Sequence, residues 1–261
     1  MAKAKKERLD KLLVDLDLAP TRSKAQGLIM AGEVLVDGQR VDKAGTAVSP
    51  TATIELITPM PYVGRGGYKL AGALDAFGIA VNGRLAADVG ACTGGFTDVL
   101  LQRGVVKVYA IDVGSQQLHW KLRQDERVVV MERTNVRYLE SLPEPISFAC
   151  IDVSFISLRL ILPSVQQWLT ADSDVVALIK PQFEAGPEKV GKGGIVRETA
   201  VHRQVLMDTL AWAQANGFVV KGLIRSPIEG SSGNVEFLVW LRLGKGDDVG
   251  DLTAVVANVL L

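Results

Sequence analysis

The sequence predicts an α/β protein in two parts, a small α+β module over residues 1–60 and a doubly wound, Rossmann-like sheet of seven strands over residues 69–245. Three observations carry this reading. A length of 261 residues, against roughly 150 per domain, suggests two domains. The apolar spacing first draws short helices and a hairpin, and from residue 69 it draws strands alternating with helices, the sign of a parallel sheet. Between the two patterns stand Pro59, Pro61 and the glycines of Val63-Gly-Arg-Gly-Gly-Tyr68, so residues 61–68 read as a linker, and residues 246–261 read as a tail ending in a short apolar helix.

Composition narrows the function classes. Hydrophobic residues are 48% and charged residues 22% of the chain, near globular averages, which argues against a disordered or fibrous protein. The 29 basic and 29 acidic side chains cancel. That zero is a sum of opposites: residues 1–69 carry 11 basic and 8 acidic side chains (+3), and residues 70–261 carry 18 and 21 (−3). Any polyanion-binding footprint is therefore local. With only Cys92, Cys150, His119 and His202 present, neither a disulfide framework nor metal-ligand spacing exists, so no metal site is expected. No apolar stretch is long enough to span a bilayer, and Asp10, Asp15 and Asp17 interrupt the apolar run a secretion signal needs. A cytoplasmic protein without membrane association is expected.

In the first module Leu9, Leu12, Leu13 and Leu16 form one stripe of an amphipathic helix that ends at Pro20. Thr21 or Ser23 caps a second helix, whose inner face is Ala25, Leu28 and Ile29 and whose left-handed terminus is Gly32. Glu33 to Gly38 alternates like a strand and ends in Asp-Gly, a hairpin turn, with Val41 on the return; Thr53–Ile57 reads as one further strand. Residues 1–24 hold seven basic and four acidic side chains. Arg8, Lys11, Arg22 and Lys24 flank the apolar faces, where they either meet phosphates or form a plain solvated face.

The second part offers strands at 85–89, 105–111, 128–131, 147–153, 175–180, 218–226 and 234–243, and helices at 69–77, 95–103, 116–122, 158–169 and 200–216. The last two strands lack a helix between them and read as an antiparallel hairpin. Five parallel strands plus that hairpin give the layout of a class I methyltransferase rather than of a pure dinucleotide-binding sheet.

The first strand-to-helix turn, Asp88-Val-Gly-Ala-Cys-Thr-Gly-Gly-Phe-Thr-Asp98, lies where open α/β sheets bind ligands. Cys92 stands where a nicotinamide fingerprint requires its second glycine, which disfavours a dehydrogenase. An acidic strand end such as Asp88 suits a cationic amino-acid group, so S-adenosylmethionine fits, with Gly90, Ala91, Cys92, Gly94, Gly95 and Phe96 forming the turn. Asp112 ends the second strand at the separation from which a carboxylate reaches ribose hydroxyls, and Asn135 follows the third strand near the expected adenine.

Four further side chains stand at strand or helix ends on one sheet edge: Lys69, Asp152, Lys180 and Glu236. Methylating a ribose hydroxyl requires withdrawal of its proton as the new bond forms. Lysine serves as base where burial and a second cation disfavour its charged form. Lys180 is assigned that role, Asp152 positions it and the hydroxyl, and Lys69 with Glu236 completes the charge network; four unrelated surface ion pairs are the alternative. The segment from Gln182 to Arg197, rich in Gly and Lys, is either a closing lid or a plain flexible loop, and Arg65 either sets the angle between the domains or touches a phosphate. Cys92 reads as a small turn residue and Cys150 as core.

Glu7 to Val41, with Arg-Leu-Asp-Lys-Leu-Leu, Thr-Arg-Ser and Gly-Glu-Val-Leu-Val-Asp-Gly, resembles the small RNA-binding module named after the ribosomal small-subunit protein in which it was first seen. Lys69, Asp152, Lys180 and Glu236, in the contexts Asp88 to Asp98, Lys-Pro-Gln-Phe-Glu and Asn-Val-Glu-Phe, resemble FtsJ-type ribose 2′-O-methyltransferases. The leading module and the Gly-Arg-Gly-Gly-Tyr-Lys-Leu junction are similar to the TlyA or haemolysin-A-like family. The resemblance implies S-adenosylmethionine-dependent 2′-O-methylation of ribosomal RNA, with cytidine targets and ribosomal RNA or ribosomal subunits as partner. Two other readings stand against it: a non-enzymatic RNA-binding or assembly factor, distinguished by absent cofactor binding, and a membrane-lytic protein, distinguished by liposome leakage.

Overall fold

The structure is a computed structural model and describes residues 6–57, 60–230, 233–244 and 246–261. The chain forms two compact units, Met1–Pro61 and Tyr62–Leu261. The first contains β1 (Glu7–Arg8), α1 (Leu9–Asp15), α2 (Arg22–Met30), β2 (Val34–Val36), β3 (Gln39–Arg40), β4 (Ala47–Val48) and β5 (Ile54–Leu56). Leu9, Leu12, Leu13, Ala25, Ile29 and Val34 are buried together, the side chains that helical spacing assigns to the inner faces. Thr21, not Ser23, caps α2 by accepting from the Lys24 amide at 3.3 Å. Asp37 (φ 50°) and Gly38 (φ 76°) take the left-handed values a two-residue hairpin turn needs, which sets Val36 opposite Gln39. Leu16 departs from the expectation and is 48% exposed, because α1 ends at Asp15 and the residue one turn on no longer follows the helical stripe. The β1–β4 pair has no counterpart in the sequence reading.

The second unit contains α3 (Gly66–Phe77), β6 (Leu85–Val89), α4 (Gly95–Gln102), β7 (Lys107–Ile111), α5 (Trp120–Arg123), β8 (Val128–Met131), β9 (Ile146–Ile151), α6 (Leu162–Trp168), β10 (Leu169–Ile179), α7 (Pro181–Glu184), α8 (Thr199–Ala215), β11 (Phe218–Arg225), β12 (Phe237–Leu243) and α9 (Leu252–Val259). One seven-stranded sheet has the order β11-β12-β10-β9-β6-β7-β8. The five strands from β10 to β8 run parallel, and β12 is antiparallel to both β10 and β11. This is the expected layout of five strands plus a hairpin. Alternate residues of β6 feed the cores on the two faces, Ala87 and Val89 on one and Ala86 on the other, as the two-residue period of a strand requires. From β6 the chain steps outward through β7 and β8 and then returns to β9 on the other flank. The carboxyl ends of β6 and β9 thus border the crevice where the strand order reverses.

Several boundaries differ from the sequence reading. α3 starts at Gly66, so residues 66–68 of the expected linker are helical. The expected helix over 116–122 is only Trp120–Arg123, because Gln116 has φ 58° and His119 Nδ1 caps the chain at Lys121. The expected helix over 158–169 is a 3₁₀ turn, Leu158–Leu160, followed by α6, and Leu169 already belongs to β10, which runs much longer than 175–180. β12 begins at Phe237, so Glu236 precedes the strand by one residue. The tail docks on its own unit: α9 packs on α8 and β11, with Val256 fully buried.

Candidate active site

The turn after β6 cannot be built from ordinary residues. Gly90 has φ 86°, and a Cβ placed on it would stand 2.4 Å from the carbonyl oxygen of Asp152. The Gly90 amide donates to the Ile111 carbonyl (2.8 Å) and the Asp152 amide to the Val89 carbonyl (2.9 Å), so the turn is laced to both neighbouring strands. Beyond it α4 starts at Gly95, one residue after the left-handed Gly94.

Asp88 is fully buried at the end of β6. Its Oδ2 accepts from the amide (2.8 Å) and hydroxyl (2.6 Å) of Thr97, while Oδ1 has no hydrogen-bond partner among the described residues. Burial pushes this carboxyl up to about 7; the Thr97 hydroxyl opposes the shift and the Asp152 charge adds to it. The same surroundings push the buried Cys150 thiol well up, burial first and the Asp88 charge second, so Cys150 is an inert core residue as expected.

A cavity of about 350 Å³ opens over this turn. Of the expected cofactor residues, Asp88, Gly90, Ala91, Cys92, Gly95 and Phe96 line it. So do all four expected catalytic residues and Arg65. Lys69 Nζ lies 2.5 Å from Glu236 Oε2, and Lys180 Nζ lies 2.5 Å from Asp152 Oδ1. The lysine side chains are 11% and 9% exposed. Ammonium groups so deeply set need a partner, and each has one carboxylate. The four residues are thus two compensated pairs facing one chamber.

Three expected residues do not reach the cavity wall. Gly94 shapes the start of α4. Asp112 uses Oδ2 to accept from the Cys92 amide (2.8 Å) and Oδ1 to accept from the Gly114 amide (2.7 Å), so it braces the turn from the next strand. Asn135 is exposed, and its Oδ1 caps a 3₁₀ turn at the Arg137 amide.

Other residues at the site carried no signal in the spacing. Ser154 lines the cavity, and its Oγ lies 3.0 Å from Lys180 Nζ. Phe155 is 90% exposed at φ 63°, an uncommon conformation for an aromatic residue, and its ring centroid lies 5.0 Å from that of Phe183. Buried Asn234 donates to the Gly194 carbonyl (2.9 Å) and accepts from the Val196 amide (3.0 Å), pinning the segment read as lid or flexible loop. That segment begins inside α7, whose Glu184 accepts from Ser157 Oγ (2.6 Å) and the Leu158 amide (2.8 Å).

In the first unit, Arg8 and Arg22 both bond the buried Asp10 carboxylate, at 2.9 and 3.0 Å, and Gln26 joins them at 2.8 Å. The Arg8 hydrogen bond, more than any other contact, holds the Asp10 carboxyl well below its ordinary range. Both arginine side chains stay more than half exposed. Lys11 pairs with Glu7 and Asp15 at 3.4 and 3.8 Å, while the Lys24 ammonium has no carboxylate partner among the described residues.

Residues 62–243 match the FtsJ-like methyltransferase family model. The chain belongs to this family. Residues 7–54 match the S4 domain. Among curated relatives, "Putative rRNA methyltransferase YqxC" of Bacillus subtilis is 51% identical over 95% of this chain and 90% of its own length. "16S/23S rRNA (cytidine-2'-O)-methyltransferase TlyA" of Mycobacterium tuberculosis is 46% identical over 92% and 91%. A solved structure titled "Putative hemolysin from Streptococcus thermophilus" superposes with a TM-score of 0.74 at 47% identity, covering 99% of this chain and 96% of that one. An S4 module followed by an FtsJ-like methyltransferase domain is therefore the organisation of this enzyme. No helix among the described residues is long and apolar enough to cross a membrane.

Proposed function

We propose that this enzyme transfers the methyl group of S-adenosylmethionine to the 2′-hydroxyl of a cytidine in ribosomal RNA. In this reading residues 1–60 hold the RNA and residues 69–245 carry the chemistry, in the cytoplasm. The observation that carries it is the pairing of Lys180 with Asp152 and of Lys69 with Glu236 around one cavity beside the β6 turn.

The residues at the turn fit the cofactor. Gly90 leaves open the space that any side chain would close against the Asp152 carbonyl. Buried Asp88 Oδ1, without a hydrogen-bond partner among the described residues, is the kind of acceptor an ammonium group completes. Asp112, though braced by two amides, keeps lone pairs for ribose hydroxyls. When bound, S-adenosylmethionine supplies an electrophilic methyl group on a sulfonium sulfur. Lys180 draws off the proton of the attacking hydroxyl, Asp152 fixes the amine, and the Lys69–Glu236 pair orients the ribose and keeps the chamber's charge balanced. General-base catalysis of this kind contributes roughly 10²–10⁴-fold. Arg65, on the cavity wall, holds a backbone phosphate, and exposed Phe155 offers a face for a base to stack on. In the first unit Arg8, Lys11, Arg22 and Lys24 form the phosphate-contacting face.

The test is transfer of labelled methyl to ribosomal subunits by Lys180→Ala, alongside calorimetric titration with S-adenosylmethionine. The expected result is loss of transfer with cofactor affinity within about threefold of the parent, whereas unchanged transfer would overturn the assignment of the base.

A further inference from the structure

Lys180 makes more contacts than its ion pair. A lysine ammonium has three hydrogens arranged tetrahedrally. One of these directions is taken by Asp152 Oδ1 at 2.5 Å and a second by Ser154 Oγ at 3.0 Å. Among the described residues no other hydrogen bond to this ammonium is made and the Phe183 ring centroid lies 5.9 Å away, so the third remains for a group in the cavity. The two partners differ in kind. Asp152 is a half-buried carboxylate on the wall of the chamber, whereas Ser154 is exposed while its hydroxyl still touches the amine of a lysine side chain that is only 9% exposed. Among the described residues Ser154 is the one hydroxyl that bonds Lys180 Nζ.

We propose that Ser154 is a positioning residue that fixes the Lys180 amine and passes the proton it collects to solvent. This rests on the assignment of Lys180 as base. When the ribose oxygen bonds the methyl carbon and the carbon–sulfur bond breaks, leaving its electron pair on sulfur, the hydroxyl proton moves to Lys180 Nζ. Before another turnover that proton has to leave. Asp152 holds the ammonium but, as a carboxylate, would have to be protonated itself to carry the proton away. A serine hydroxyl accepts one proton and donates another in the same motion, so Nζ–H donates to Ser154 Oγ while the Ser154 O–H donates to water. The net result is one proton transferred from the ribose hydroxyl to solvent. Loss of that proton leaves a neutral Lys180 whose lone pair first faces Ser154; a turn about the Cε–Nζ bond then brings the hydrogen received from the ribose to Ser154 and points the lone pair at the remaining position, with Asp152 still accepting from the amine.

The experiment compares Ser154→Ala and Ser154→Thr with the parent enzyme on undermethylated ribosomal subunits and labelled S-adenosylmethionine, with and without added imidazole as a diffusible proton acceptor. The expected result is that Ser154→Ala binds S-adenosylmethionine as the parent does, turns over about tenfold more slowly, and regains most of that loss as imidazole is raised. Ser154→Thr, which keeps the hydroxyl, stays within about threefold of the parent, and the parent does not respond to imidazole. Parent-like turnover by Ser154→Ala would overturn the proposal, as would a loss that neither threonine nor imidazole restores. Lys180→Met, run in parallel, separates the two layers. If it is inactive while Ser154→Ala is unimpaired, the base assignment stands and only the role of Ser154 fails; if it is fully active, the base assignment falls first.

Discussion

The carbonyl oxygen of Asp152 stands 2.4 Å from the point a Cβ on Gly90 would occupy. A backbone carbonyl cannot swing aside as the end of a long side chain can, and Gly90 also has φ 86°. Gly90→Ala therefore has to displace the backbone of Asp152, the residue that follows β9. It is expected to weaken S-adenosylmethionine binding at least tenfold and to lower thermal stability, since strained backbone alone costs about 1–3 kcal/mol. Calorimetry and a thermal melt on the same sample check both effects.

Asp88 gives the ligand-free protein a pH signature. Burial raises its folded pKa to about 7, above the unfolded value of 3.8. Between those values the native state holds a proton that the unfolded state has released, so stability falls as pH rises through the window and levels off above it. The slope contributed by one group is at most about 1.4 kcal/mol per pH unit. Denaturant titrations from pH 4 to pH 8 are expected to show this decline in the parent and a flatter profile in Asp88→Asn. The same variant is expected to bind S-adenosylmethionine more weakly.

The basic face of the first unit separates into two kinds of residue. Among the described residues the Lys24 ammonium has no carboxylate partner, whereas Arg22 also ties down buried Asp10. Lys24→Ala is expected to reduce the slope of log affinity for ribosomal RNA against log salt by roughly 0.7 to 0.9, with no change in melting temperature. Arg22→Ala is expected to reduce the slope similarly and to lower the melting temperature as well. Binding measured across a salt series, with melts of each variant, distinguishes them.

Phe155 is 90% exposed in the loop that carries Asp152 and Ser154. Stacking of a base on an aromatic ring is worth roughly 1–3 kcal/mol. Phe155→Ala is expected to raise KM for the RNA substrate about tenfold while leaving the affinity for S-adenosylmethionine unchanged. Steady-state kinetics with the RNA varied at saturating cofactor provide the check.

Much of this site was legible because its chemistry sits at strand ends, where periodicity fixes position. Asp88, Asp152 and Lys180 each terminate a run of apolar residues, and one sheet edge gathers them. The hairpin at Asp37-Gly38 was legible because its turn chemistry is local. Other features depend on partners distant in sequence. Asp112 has the spacing of a ribose ligand, yet the spacing does not reveal that the Cys92 and Gly114 amides already occupy both of its oxygens. Asn234 bonds residues about 40 positions earlier in the chain, and the two-residue pair β1–β4 spans a similar distance. Gln116 begins no helix because its own backbone is left-handed, which its side-chain type does not announce. Ser154 was missed because a serine three residues after a strand end is common; only the 3.0 Å approach to Lys180 gives it meaning.

The most direct test of the central claim is nucleotide-resolution mapping of 2′-O-methyl marks on ribosomal RNA from cells with and without this protein, and from cells carrying only Lys180→Ala. The expected result is a discrete cytidine 2′-O-methyl mark present with the parent protein and absent from both other samples. A map identical in all three, or a lost mark that proves to be a base methylation, would contradict ribose methylation by the Lys180 and Asp152 pair.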